Sequence, residues 1–127
     1  MARPCPTGHH DKHDVYSDSC PCRALLDLLS NKWSALIIGL LEQRGAVRFS
    51  ELQAQLPGVG AKMLTQTLRR LEAASLVDRT VYAEVPPRVE YTLTDLGISV
   101  AEPLGLLRTW VEDNIDRVEA LNRDWNT

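Results

Sequence analysis

The run Gly60-Ala-Lys-Met-Leu-Thr-Gln-Thr-Leu-Arg-Arg-Leu-Glu-Ala-Ala-Ser75 decides how the chain is read. On a helical wheel turning about 100° per residue, Leu68 and Leu71 fall within a turn's width of Leu64, at i+4 and i+7. Lys62, Gln66 and Arg69 gather on the opposite side, with Thr65 at its edge and Arg70 flanking. The stretch is an amphipathic helix with one leucine stripe and one polar face. No acid sits at the centre of that face. Its residue types are those that read DNA: arginine and lysine reach guanine edges or phosphates, glutamine pairs with adenine, and threonine meets a thymine methyl or a phosphate. A solvated face on a structural helix looks the same in isolation. The sequence that follows separates the two readings.

Leu76-Val-Asp-Arg-Thr-Val-Tyr82 and Arg88-Val-Glu-Tyr-Thr-Leu93 flank a tip, Ala83-Glu-Val-Pro-Pro87. Two runs rich in Val, Thr and Tyr around a proline-stiffened tip read as a two-stranded hairpin. By strand alternation, Val77, Arg79 and Val81 share one face and Asp78, Thr80 and Tyr82 the other; on the return strand Val89, Tyr91 and Leu93 alternate with Arg88, Glu90 and Thr92. A polar-faced helix followed by a basic hairpin is the winged helix-turn-helix arrangement, in which the helix enters the major groove and the hairpin reaches along the backbone. The expected fold is mainly α with a small β-hairpin.

The chain has 127 residues, enough for one domain, and its 44% hydrophobic content suffices for a modest core. The formal net charge of −3 does not favour DNA, but its distribution does. Residues 60–94 carry five cations against four acids; residues 95–127 carry three arginines against seven acids. The basic charge sits in the helix–hairpin unit and the acid in a tail that must lie away from DNA. No apolar run approaches the roughly 20 residues that span a bilayer, and no secretory signal pattern is present, so a cytoplasmic location is expected. Three cysteines do not make a disulfide framework.

Residues 1–19 read as a flexible arm of prolines, histidines and charges with few apolar residues. Cys5, His9, His10 and His13 have poor spacing for a metal, so neither a metal site nor a cofactor is expected. Order should begin at Cys20, as N-cap before Pro21, with Leu25, Leu28 and Leu29 forming a short stripe. Ser30-Asn31 breaks the chain and caps a helix from Lys32 to about Arg44, whose Trp33, Leu36, Ile37, Leu40 and Leu41 face the core and which Gly45 ends. Ala46-Val47-Arg48 is short enough for a third strand, and Ser50-Glu-Leu-Gln53 is a capping-box pattern for a helix from Glu51 to Leu56. Pro57-Gly58-Val59-Gly60 makes the turn into the polar-faced helix.

Thr94 caps a last helix, about 94–122, with Leu96, Val100, Leu104, Leu107, Val111, Ile115, Val118 and Leu121 at intervals of three and four. A bend is expected at Pro103, which cannot donate to Ser99. The part before Pro103 should pack on the chain's own first helix. The rest of the stripe calls for a partner helix from a second subunit, making a homodimer through the N- and C-terminal helices on a pseudo-palindromic operator.

Several motifs together resemble the HxlR-type transcriptional regulators: Cys20-Pro21, Asn31-Lys-Trp-Ser-Ala-Leu-Ile-Ile38, Arg48-Phe-Ser-Glu-Leu52, Lys62-Met-Leu-Thr-Gln66, Leu68-Arg-Arg-Leu-Glu72 and Glu84-Val-Pro-Pro-Arg-Val-Glu-Tyr91. The resemblance covers residues 20–113. It implies a dimeric winged-helix regulator similar in architecture to the MarR group, with Lys62, Thr65, Gln66 and Arg69 facing DNA and Arg88 on the wing; Arg70 and Arg79 join them from the charge pattern. Ser75 stands where the family usually has glycine. In several members the cysteine matching Cys20 senses quinones, aldehydes, hypochlorite or other thiol oxidants; others sense nothing through it.

Chemistry supports the same cysteine. A thiol at a helix N-terminus faces unpaired amides and the positive end of the dipole, and Arg23 lies one turn on, so Cys20 is the expected redox-sensing residue and Cys5 and Cys22 are secondary. Two other regulators fit the sequence, one answering a small-molecule ligand and one with no cysteine switch. A protein-interaction module is disfavoured by the retained Gln66, Arg69 and Arg88. An enzyme is not expected, because there are no paired carboxylates, no nucleophile–base set and no phosphate-binding glycine loop.

Overall fold

The computed structural model describes residues 14–126; the arm's Cys5, His9, His10 and His13 lie outside the described residues. The elements run α1 (Pro21–Leu29), α2 (Lys32–Arg44), β1 (Val47–Arg48), α3 (Phe49–Gln55), α4 (Ala61–Ala73), β2 (Val77–Tyr82), β3 (Arg88–Leu93) and α5 (Asp95–Leu121). The Asn31 carboxamide oxygen accepts from the Trp33 amide at 2.8 Å and so starts α2. Gly45 ends it at φ +80°, where a side chain would be strained.

The three strands lie in the order β1-β3-β2, all antiparallel. Val77 pairs with Leu93, Arg79 with Tyr91 and Val81 with Val89, so the register puts the Val77–Arg79–Val81 set on the same face as Val89, Tyr91 and Leu93. The core joins Ile37, Ile38 and Leu41 of α2 to Leu52, Val47, Val77, Tyr91 and the Leu64–Leu68–Leu71 stripe of α4. Each fully buried aliphatic side chain contributes about 1.5–3 kcal/mol. The stripe therefore outweighs any surface ion pair in fixing how α4 is rotated.

The end of α4 is a Schellman cap. The Leu76 amide donates to the Leu71 carbonyl at 3.0 Å and the Ser75 amide to Glu72 at 2.9 Å. Ser75 takes φ +62°, the left-handed conformation that favours glycine. The Thr94 hydroxyl donates to the Ser75 carbonyl at 2.6 Å and accepts from the Gly97 amide at 3.0 Å, tying the start of α5 to the end of α4. Gly97 sits directly on the Leu76 carbonyl, and a Cβ there would lie 2.1 Å from its oxygen.

Four local expectations are revised. Helix α3 begins at Phe49, with Arg48 as an N-cap that makes no side-chain hydrogen bond, so the Ser50 capping box is not used. Strand β1 pairs through Arg48 with Glu90 and turns straight into the helix, placing Ser50 inside its first turn. In α1 only Leu28 is buried, while Leu25 and Leu26 are exposed. Helix α5 packs chiefly on α2 and β3 rather than on α1, with Gly97 seated on the Leu76 carbonyl and against Leu93 and with Ala101 fully buried. Residues 14–19 of the expected arm form turns: the Ser17 amide donates to the Asp14 carbonyl at 3.1 Å, and the Cys20 amide to Ser17 at 3.2 Å.

Helix α5 runs as one element through Pro103. Beyond it, Arg108 Nη1 donates to the Ala35 carbonyl at 3.0 Å, and its guanidinium lies against Gly39, where a Cβ would be 2.7 Å from Cζ.

Two substitutions test the α4–α5 junction in opposite directions. Ser75→Gly should stabilise the protein by about 0.5–1 kcal/mol, since it relieves a left-handed L-residue. Gly97→Ala should destabilise it by about 1–3 kcal/mol or prevent folding, since the Leu76 backbone cannot yield. Denaturant midpoints read both.

Candidate nucleic-acid interface

Helix α3, the turn and α4 form the helix-turn-helix. Gly58 makes the turn at φ +95°, and buried Leu56 and Val59 pin it to the core. With Leu64, Leu68 and Leu71 turned inward, Lys62, Gln66 and Arg69 are exposed and Thr65 is half-buried. These four and Ala61 line one shallow concave patch. Among the described residues, none of the four side chains has a hydrogen bond or ion pair within the chain. A ligand therefore meets donors that give up no internal partner.

Arg70 differs. Its Nη2 lies 3.8 Å from Asp27 Oδ2 of α1, an exposed pair worth about 0–1 kcal/mol. It marks the edge of the patch and the contact between α1 and α4. Thr67, whose burial the wheel leaves unstated, faces inward, its hydroxyl donating to the Met63 carbonyl at 2.8 Å.

On the wing, Arg79 is exposed and has no ion pair among the described residues. Arg88 is held. Its guanidinium lies 4.0 Å from the Tyr82 ring centroid, its Nη1 is 3.6 Å from Glu84 Oε1, and its Nε is 3.3 Å from Glu90 Oε2. The last contact is an ion pair rather than a hydrogen bond, since the Nε–H is not aimed at the oxygen. Tyr82 and Arg88 are direct cross-strand partners, so this cluster braces the hairpin. The sequence signals it only as Arg88 flanked by Glu84 and Glu90.

Cys20 sits at the start of α1 as expected, but its surroundings differ. It is 2% exposed and makes no side-chain capping hydrogen bond. Arg23 Nη1 donates to the Tyr16 carbonyl at 3.1 Å. Among the described residues its sulfur lies 2.8 Å from another thiol, Cys22 Sγ, on a half-buried residue. Among the described residues no cluster of His, Cys, Asp or Glu could hold a metal. No single helix among them is long and apolar enough to cross a membrane.

This architecture, a leucine-anchored reading helix with a braced wing, is that of a winged helix-turn-helix DNA-binding transcriptional regulator. The model for HxlR-like helix-turn-helix proteins matches residues 28–119, and the chain belongs to that family. The HTH-type transcriptional regulator YtfH of Escherichia coli K12 is 39% identical over 108 residues, 85% of each chain. The solved YtfH of Salmonella typhimurium superposes with a TM-score of 0.83 at 37% identity, covering 87% of this chain and 97% of that one. The redox regulator HypR in its oxidised form superposes with a TM-score of 0.69 at 37% identity, covering 75% and 97%. Family and relatives are transcriptional regulators, not enzymes.

The Arg88 cluster makes a local prediction. Arg88→Ala should raise amide exchange at Val81 and Val89 roughly three- to fivefold, as expected for losing one partly exposed cation–π contact. The amides of α4 should be unaffected in the same hydrogen-exchange measurement.

Proposed function

We propose that the chain acts in the cytoplasm as a homodimeric, sequence-specific regulator that responds to thiol oxidants through Cys20. The observation that carries the DNA reading is the unpaired, acid-free patch of Lys62, Thr65, Gln66 and Arg69 opposite a fully buried leucine stripe. Gln66 and Arg69 read bases, Lys62 and Thr65 reach phosphates or edges, and Arg70 flanks them. Arg79 and Arg88 lie along the backbone on the wing, with Arg79 the unencumbered cation and Arg88 sharing its charge with Glu84 and Glu90.

The homodimer is supported by apolar surface that one chain leaves open. On α5, Leu106, Trp110 and Val111 are 66%, 57% and 48% exposed, and Leu25 and Leu26 of α1 are exposed too. Contiguous apolar surface of this kind marks an interaction site. Redox sensing is supported by the likeness to HypR, whose structures are described in oxidised and reduced forms. A small-molecule inducer is the second reading. It is favoured by the apolar groove of Leu29, Ala35, Leu36, Leu107 and Val111 between α2 and α5, with Arg108 at its edge.

The test is selection of bound genomic fragments followed by gel-shift titration. A pseudo-palindrome with half-sites about 10 bp, or a multiple, apart is expected. Gln66→Ala and Arg69→Ala should each cost about 1–3 kcal/mol and relax specificity. Arg79→Ala should weaken all sequences alike and lower the salt slope by about one. Base preference that moves with Arg79 and not with Gln66 or Arg69 would reverse the assignment of helix and wing. Sedimentation should give twice the chain mass; a stable folded monomer at micromolar concentration removes the dimer. An oxidant should change operator affinity reversibly in wild type and leave Cys20→Ser unchanged.

A further inference from the structure

We infer that Cys20 and Cys22 form an intrachain dithiol that a hydroperoxide closes to a disulfide, with Cys22 as the thiol oxidised first. The reading rests on the sensing role above only for its effect on DNA, not for the bond itself.

The two Sγ atoms are 2.8 Å apart, within a single ångström of the roughly 2.05 Å of a disulfide. The local backbone brings them together. Cys20 is an extended N-cap at φ −85° and ψ 133°, and Pro21 starts the helix, so Cys22 falls in the first turn of α1. The chain before Cys20 is anchored by the turn from Asp14 to Ser17, which donates and accepts through the Ser17 backbone. The cap thiol is thus held on the helix side rather than swinging outward.

Access sets the order of events. Cys20 is 2% exposed, whereas Cys22 is half-buried and open to solvent. Reactivity follows thiolate fraction and access together. The Cys22 thiolate attacks the terminal oxygen of the hydroperoxide; the O–O bond breaks, the alcohol leaves after protonation, and Cys22 becomes a sulfenic acid. The Cys20 sulfur then attacks the Cys22 sulfur, the S–O bond breaks, and hydroxide leaves with the Cys20 proton as water. In sum, two thiols and one hydroperoxide give one disulfide, one alcohol and one water. A ring closed across one intervening residue is strained, and strained disulfides are the readily reduced, regulatory kind. A small thiol should therefore reopen it. The position reaches the reading helix through Asp27 of the same α1, paired with Arg70 of α4.

The experiment treats the full reduced chain with cumene hydroperoxide, blocks residual thiols with N-ethylmaleimide and measures masses without reductant. Cys5→Ser runs alongside to remove the third thiol. The tryptic peptide from His13 to Arg23 contains both Cys20 and Cys22. It should be lighter by two hydrogens, carry no maleimide, and recover both labels after dithiothreitol. Cys22→Ser and, as a second variant, Cys22→Ala should lose that species, and Cys20→Ala should accumulate a dimedone-reactive sulfenate at Cys22. A disulfide joining Cys20 of two chains, a bond to Cys5, or a sulfenate on Cys20 with Cys22 untouched overturns the proposal. Gel shifts on the same samples separate it from the sensing reading. If the intrachain bond forms without changing operator affinity, the dithiol stands and sensing falls. If the masses show no intrachain bond while wild type still responds and Cys20→Ser does not, sensing through Cys20 stands and the dithiol falls.

Discussion

Burial of Leu64, Leu68 and Leu71 is the constraint on which the rest depends. Three side chains on one face of α4, locked against Ile37, Ile38, Leu52 and Val77, allow one rotation of that helix and no other. The opposite face is thereby presented, and among the described residues no hydrogen bond or ion pair holds its Lys62, Thr65, Gln66 or Arg69 side chains. The ion pair between α4 and α1, Arg70 with Asp27, is exposed and too weak to set the rotation. Specificity in such a protein comes from polar groups, but apolar packing decides where they stand.

Much of this was legible because it rests on periodicity. The leucine stripe, the two hairpin strands with their alternation, and the caps at Asn31 and Thr94 follow from local rules that tertiary contacts did not overturn. What escaped was set by contacts between distant segments. The start of α3 moved to Phe49 because strand pairing with Glu90 carried the chain directly into the helix, overriding a sound local capping box. The docking of α5 on α2 and β3 hinges on Gly97 and Gly39, whose missing side chains matter only once their neighbours are known.

The candidate site divides in the same way. The face of Lys62, Thr65, Gln66 and Arg69 could be drawn from the wheel alone. The engagement of Arg88 could not, since it needs the cross-strand neighbour Tyr82 as well as two acids. The thiol pair was missed for a simpler reason. A side chain inside the first helical turn is expected to point away from the cap, yet the extended Cys20 backbone leans its sulfur toward Cys22.

The seat of α5 has an evolutionary consequence. The helix is fastened to its own domain at two glycines, Gly97 on the Leu76 carbonyl and Gly39 beneath Arg108, and the residues beyond Arg108 owe that domain little. The outer turns are therefore free to drift in sequence without disturbing the reading head. In the proposed dimer, two copies could, after a gene duplication, stop recognising each other while still binding the same DNA, or keep recognising each other while their DNA preferences part. On that reading, choice of partner and choice of target are inherited on separate stretches of one short chain.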